Sequence, residues 1–288
     1  MPTDRLTMGK DVTAVINYFS RDPKFQREKP YVTSFPVDDI EGASVSNHEN
    51  EPVPVNMSDI RGLPPPSLDR EGFTILESPT SLTYDDFANR ELVRSQYFAE
   101  LREMLKKAFP HYRTLVFFDH EIRRRSPMYP KSVGATVEHA QPLAQTHVDY
   151  SPGGARCRLE RVLQGPEMVH LLSRKCELLN VWRPIVAQTD DWPLALCDWQ
   201  SVKPADDILS NDVVYENSVG EDQLLMSSKS HRWWYLSDHR MDEVFVWRNT
   251  NIPDGDKPRA FHTAFENPLA NPENPRRESI EVRLAAFL

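Results

Sequence analysis

From Arg113 onward the chain is cut into short runs rich in β-branched and aromatic residues, each closed by Pro, Asp, Ser or Asn. TLVFFDH (114–120), ATVEHA (135–140), ELLNVWRPIV (177–186), PLALCDW (193–199), DVVYEN (212–217), EVFVWRNT (243–250) and SIEVRLAAFL (279–288) are typical. Such runs read as strands, and a strand of this length is stable only when it pairs and buries a face. No amphipathic helix interrupts them after Ser173. About ten short strands in succession therefore predict a barrel or two facing sheets. One long helix is expected upstream, over Asp85–Phe109. Its apolar residues Val93, Tyr97, Phe98, Leu101, Met104, Leu105 and Ala108 recur at three and four. Thr83-Tyr84-Asp85-Asp86 offers the start and Pro110 the stop. With a single oily face, this helix should pack on a sheet. Val12–Phe19 reads as a short helix or strand, and Asn47–Asp69, with five prolines, as a loop. The expected fold class is α+β, mainly β: a double-stranded β-helix, jelly-roll or cupin-like, braced by N-terminal helices. The expected organisation is one domain over 1–288, with 1–112 as support and 113–288 as the core.

Charge narrows the partners. The net charge is −9 and the pI about 5.5, which argues against nucleic acid. The only basic run is Arg123-Arg124-Arg125. It reads first as a solvated loop, and alternatively as a lure for an anionic small molecule. Cys157, Cys176 and Cys197 have no CxxC spacing, so they are expected reduced. The first twelve residues contain no apolar core, and no stretch approaches ~18 apolar residues. The expectation is a cytoplasmic protein without a secretory signal or membrane span. The oligomeric state is open.

A candidate site begins at QTHVDYSPGG (145–154). On an extended strand His147 and Asp149 point to the same side. Two His and one carboxylate on one triangular face suit Fe(II) that must keep open positions. The dipeptide pattern alone is weak, since on the order of one HxD is expected by chance at this composition; the bland reading is the polar end of a strand running into a turn. His262, near the end of another strand, is a candidate third ligand. In the last strand Arg277, Ser279, Glu281 and Arg283 share one face, and Ile280, Val282, Leu284 and Ala286 the other. That is either an amphipathic strand with one side in water, or a strand whose Arg277 and Ser279 point inward and hold a carboxylate.

Taken together, His147-Val148-Asp149, His262 and Arg277-Glu278-Ser279 resemble the order of the Fe(II)/2-oxoglutarate oxygenase superfamily. HVDYSPGGA, LLNVWRP, LALCDWQSV, HRWWYLSD, DEVFVWRN, FHTAFENP and RRESIEVR are similar, more narrowly, to the mostly fungal family grouped with gibberellin desaturase and aspergillic acid hydroxylase. The resemblance implies iron ligands at His147, Asp149 and His262. It implies Arg277 and Ser279 as the pair on the distal carboxylate of 2-oxoglutarate, with Arg283 as a rival because the loop before Arg277 is long. It implies Asn180 in the cosubstrate pocket. Trp182, sharing a face with Asn180, is a candidate for the substrate pocket. Arg183 and His231 are weaker candidates, and Arg183 is alternatively a structural ion-pair partner. The implied cofactors are Fe(II), 2-oxoglutarate and O2. The implied reaction is hydroxylation, desaturation or oxidative cyclisation of a small secondary metabolite, amino-acid-derived or a terpenoid acid. Two other classes remain: a cupin-type metal enzyme that does not use 2-oxoglutarate, and a non-catalytic β-barrel binding protein.

Overall fold

The chain passes back and forth between two facing sheets. Cys176–Pro184 lies in one, Leu194–Cys197 in the other; Glu243–Ile252 returns to the first, His262–Ala264 to the second, and Glu278–Phe287 to the first again. The computed structural model describes residues 9–131, 139–166 and 168–288; the candidate strand at 135–140 lies mostly outside them. The first sheet has five strands in the order Phe73–Glu77, Glu243–Ile252, Cys176–Pro184, Glu278–Phe287 and Thr114–Arg124, all antiparallel. The second has nine, with Leu194–Cys197, His262–Ala264, His147–Val148 and Ser218–Leu225 side by side at its centre. This winding between two sheets is the expected double-stranded β-helix. A core of Trp182, Phe245 and Trp247 from the first sheet and Leu194 and Leu196 from the second fills the space between them. Four strands from the first 112 residues extend both sheets.

The last strand behaves as its period of two requires. Ile280, Val282 and Leu284 face outward into a cluster with Val93, Tyr97, Leu101 and Leu105 of the long helix. Arg277, Ser279 and Glu281 are buried on the other face, between the sheets. The helix starts later than expected. Asn89, not Thr83 or Asp85, caps it by accepting from the backbone N–H groups of Glu91 (3.0 Å) and Leu92 (3.3 Å). A π turn over Val93–Tyr97 precedes Phe98–Ala108. It lets apolar residues spaced by four remain on one face.

Two local expectations fail for physical reasons. Asn50–Asp59 is a ten-residue strand, not a loop. Pro52 and Pro54 have the same parity, and this strand pairs with Val12–Phe19 on one side only over that stretch. Their missing N–H groups therefore fall on the open edge, where a ladder loses nothing. Ser151-Pro152-Gly153-Gly154 is not a turn but the start of a helix, Pro152–Val162. Ser151 Oγ accepts from Gly154 N–H at 2.9 Å and Pro152 occupies the first turn.

Gly154 is required by this packing. A Cβ there would lie 2.0 Å from the Glu221 carbonyl oxygen. Gly154→Ala is expected to lower unfolding stability by about 1–3 kcal/mol through overpacking, read as a lower urea midpoint at unchanged slope.

Candidate metal centre

The strand His147–Val148 is two residues long and is pinned between two neighbours. His147 pairs directly with His262 on one side and with Leu224 on the other. Directly opposed residues project to one face, so both imidazoles enter the space between the sheets, their ring centroids 4.3 Å apart. One ligand atom each from His147, Asp149 and His262 lies within 4.8 Å of the others.

Each ring is oriented through its other nitrogen. His147 Nδ1 lies 2.8 Å from the Gln145 carbonyl oxygen, and His262 Nδ1 lies 3.3 Å from that of Ala260. A carbonyl only accepts, so Nδ1 carries the proton in both rings and Nε2 keeps its lone pair. The Nε2 atoms sit 3.4 Å (His147) and 3.9 Å (His262) from the same oxygen, Oδ1 of Asp149.

The second oxygen of Asp149 is turned the other way. Oδ2 accepts from Arg283 Nε at 2.7 Å and from Asn180 Nδ2 at 2.8 Å. Asn180 Oδ1 in turn accepts from Asn249 Nδ2 at 2.7 Å, and Asn249 Oδ1 accepts from the Asp149 backbone N–H at 3.2 Å. The carboxylate is thus fixed at both ends of its residue, with one oxygen spent and one presented. Burial alone would push Asp149 upward, but the Arg283 guanidinium and the two imidazoles hold it well below the ordinary carboxylate range. Burial also opposes charge on His147, yet the hydrogen bond and charge of Asp149 keep it above its usual value. Burial and the charge of His147 push His262 down to about 3. One anionic oxygen and two imidazole Nε2 atoms converge here, a donor set that fits a divalent cation on a His–Asp–His site.

Arg277 has a different character. It is 2% exposed and makes no ion pair with a carboxylate among the described residues. Its Nε donates to Ser279 Oγ at 3.3 Å and its Nη1 to the Trp192 carbonyl at 2.7 Å, and the guanidinium lies 5.0 Å over the Trp182 ring. Burial and the nearby Arg123 charge push it down to about 9. A buried cation left without an anion is costly, so this corner fits a carboxylate supplied from outside.

Other residues singled out in the sequence lie elsewhere. Arg283 is engaged by protein carboxylates: besides Asp149 it contacts Asp119 (3.3 Å) and Glu281 (2.5 Å). Asn180 gives its amide to Asp149 and Asn249, not to open cosubstrate space. Trp182 is buried beneath Arg277 and against His239 and Phe245, away from the cavity described below. Arg183 alternates to the helix side, where it donates to Ser78 Oγ (2.9 Å) and the Met241 carbonyl (3.1 Å) and stacks on Tyr97. It is structural, not a pocket residue. His231 is buried between Tyr18 OH (3.1 Å) and Asp207 (3.2 Å), so it does not reach the pocket either. Tyr150 does, although it alternates away from Asp149. The cavity at the centre has a volume of about 750 Å³, with His147, Asp149, Arg283, Arg123, Tyr150 and Arg158 on its walls. Sequence reasoning missed Asn249, the unpaired residue of a bulge between Arg248 and Thr250, and no sequence signal marks such a bulge.

Comparison with known proteins agrees with this geometry. Residues 16–287 match a family model described as an oxidoreductase/YMDC permease-like domain. The Fe(II)/2-oxoglutarate-dependent dioxygenase nvfI of Aspergillus novofumigatus is 31% identical over 227 residues, covering 76% of this chain and 77% of that protein. The chain belongs to the Fe(II)/2-oxoglutarate-dependent dioxygenases. The hydroxylase/desaturase efuI of Hormonema carpetanum is 28% identical over 85% of this chain and 86% of its own length. A variant of the iron and alpha-ketoglutarate-dependent endoperoxidase NvfI superposes with a TM-score of 0.83 at 25% identity, over 96% of this chain and 97% of the other. The protein is therefore an oxidoreductase whose family uses Fe(II), 2-oxoglutarate and O2 on small molecules of fungal secondary metabolism. Neither alternative, a cosubstrate-independent cupin or a non-catalytic binder, finds support. Among the described residues, no helix is long and apolar enough to cross a membrane.

Arg283 balances two buried carboxylates, so Arg283→Ala should destabilise the metal-free dioxygenase by about 3–5 kcal/mol near neutral pH. Asp149 lies below its unfolded value of about 4, so its contribution is present above that pH and is lost as pH falls through the folded value. The gap between wild type and variant in a chemical-denaturation series should accordingly narrow below about pH 4.

Proposed function

We propose that His147, Asp149 and His262 hold Fe(II), and that Arg277 and Ser279 hold the distal carboxylate of 2-oxoglutarate. The observation that carries this reading is the split Asp149 carboxylate: one oxygen faces two imidazole lone pairs while the other is tied to Arg283 and Asn180. Residues 1–288 are read as one oxygenase domain, since strands from both halves build the sheets.

When bound, Fe(II) with 2-oxoglutarate and O2 supplies an oxidant able to take hydrogen from an unactivated C–H bond. The chain's part is to bind, orient and exclude water. The Nδ1 hydrogen bonds of His147 and His262 fix the ring planes and keep Nε2 unprotonated. Arg277 and Ser279 set the direction of the dicarboxylate and reject keto acids that lack the second carboxylate. Trp247, tilted against His262 with ring centroids 4.6 Å apart, and Trp182 make the wall behind the centre dry. The substrate enters the cavity of about 750 Å³, a volume in the range of drug-sized ligands. Phe35, Leu143 and Val213 on its walls suit an apolar body, and Arg158 suits an acidic or carbonyl group. That favours a secondary metabolite larger than a free amino acid. The relatives are named for dioxygenation, hydroxylation, desaturation and endoperoxide formation. Substrate placement, not the ligand set, is thus what selects the outcome.

Anaerobic addition of Fe(II) and then 2-oxoglutarate should produce a broad visible charge-transfer band in wild type. His147→Ala should lose the band, and Arg277→Ala should require about tenfold or more 2-oxoglutarate to reach it, as expected for a lost charge-assisted contact. Bound iron without a band in wild type would refute the cosubstrate assignment. No bound iron would return His147 and Asp149 to a strand end.

A further inference from the structure

The Arg123-Arg124-Arg125 run divides by alternation. Arg124 pairs with Glu278 at 2.9 Å and Arg125 with Asp191 at 2.5 Å, so both are neutralised. Arg123 makes no ion pair among the described residues. Its strand Thr114–Arg124 runs antiparallel to Glu278–Phe287, and Arg123 lies directly opposite Ser279. Opposed residues share a face, so the Arg123 guanidinium is delivered to the same interior face as Ser279 and its partner Arg277. The Arg123 side chain is positioned by one hydrogen bond, Nη1 to the Gln141 carbonyl at 2.7 Å. Gln141 is itself tied down, since its amide accepts from Ser126 N–H at 2.7 Å and donates to the carbonyls of Arg124 and His139 at 2.9 Å each. The remaining donors of Arg123 have no hydrogen-bond partner among the described residues. Unlike Arg277, Arg123 lies on the wall of the cavity that reaches His147 and Asp149.

Two like charges held together inside a protein oppose each other. The carboxylates beside them are engaged elsewhere: Glu281 contacts Arg283 at 2.5 Å, and Asp191 accepts from the Arg277 backbone N–H at 2.7 Å and from Arg125 at 2.5 Å. The pair is left with an excess of positive charge, and the idle donors of Arg123 face accessible space.

We propose that Arg123 is a second arginine on the distal carboxylate of 2-oxoglutarate, clamping it from the cavity side while Arg277 and Ser279 hold it from below. The inference rests on the cosubstrate reading above. It makes Arg123 a binding residue that selects keto acids with a second carboxylate, through paired planar donors that a lysine does not reproduce.

The test is an anaerobic titration of the Fe(II)-loaded protein, followed by the visible band, with 2-oxoglutarate and with 2-oxobutyrate, which lacks the distal carboxylate. Wild type, Arg123→Gln and Arg123→Lys are compared, and thermal melts of the metal-free proteins establish that each is folded. The expected result is a 2-oxoglutarate dissociation constant raised about tenfold to a hundredfold in Arg123→Gln, the size of a lost charge-assisted hydrogen bond. Arg123→Lys should recover part of the loss, and 2-oxobutyrate binding should not change. An unchanged 2-oxoglutarate constant would overturn the proposal while leaving the cosubstrate reading intact. Equal loss for both keto acids would also overturn it, placing the defect at the iron instead. A wild type with iron but no band would defeat both readings together.

Discussion

One carboxylate governs this site. Asp149 must present an oxygen to two imidazole lone pairs without being neutralised by them, and it must not rotate. The structure meets both demands by giving its second oxygen to Arg283 and Asn180 and its backbone N–H to Asn249. Arg283 supplies the charge that keeps the buried acid ionised. The two asparagines supply direction, because each amide has a donor end and an acceptor end and the loop closes with those ends matched. The two imidazoles are fixed by a simpler device, a carbonyl two residues back on the chain.

The three arginines around this face differ in their partners. Arg283 is surrounded by Asp149, Asp119 and Glu281, so it belongs to the scaffold of the centre. Arg277 and Arg123 have no such partners among the described residues. Guanidiniums in this state carry a local cost, which the proposed carboxylate of 2-oxoglutarate would offset. The difference among the three comes from which carboxylates the neighbouring strands place opposite them: Asp119 opposite Arg283, but Arg123 itself opposite Ser279.

The remaining framework serves these contacts. The long helix covers the outer face of the five-stranded sheet, so the inner face of that sheet is free to be polar at one end. The helix Pro152–Val162 begins immediately after Asp149 and Tyr150, and its close approach to Ser218–Leu225 at Gly154 carries Arg158 to the cavity wall. The prolines of Asn50–Asp59 are tolerated because that stretch has an open edge.

Strand periodicity, read from the sequence, was enough to place Arg277, Ser279, Glu281 and Arg283 on one face and to separate Arg183 from Asn180 and Trp182. The spacing of His147 and Asp149 gave their common side, and the order of motifs gave the family. These are local properties, since alternation and ligand spacing are set by backbone geometry within a few residues. What lay beyond the sequence was which charges meet across strands. Register decided that Arg283 and Asn180 serve Asp149, that His231 is enclosed by Tyr18 and Asp207, and that Arg123 faces inward beside Ser279. It also required a bulge at Asn249 and a helix where Pro-Gly-Gly suggested a turn. Such pairings depend on contacts between residues 30 to more than 200 positions apart. No local propensity encodes them, and only the folded sheets bring them together.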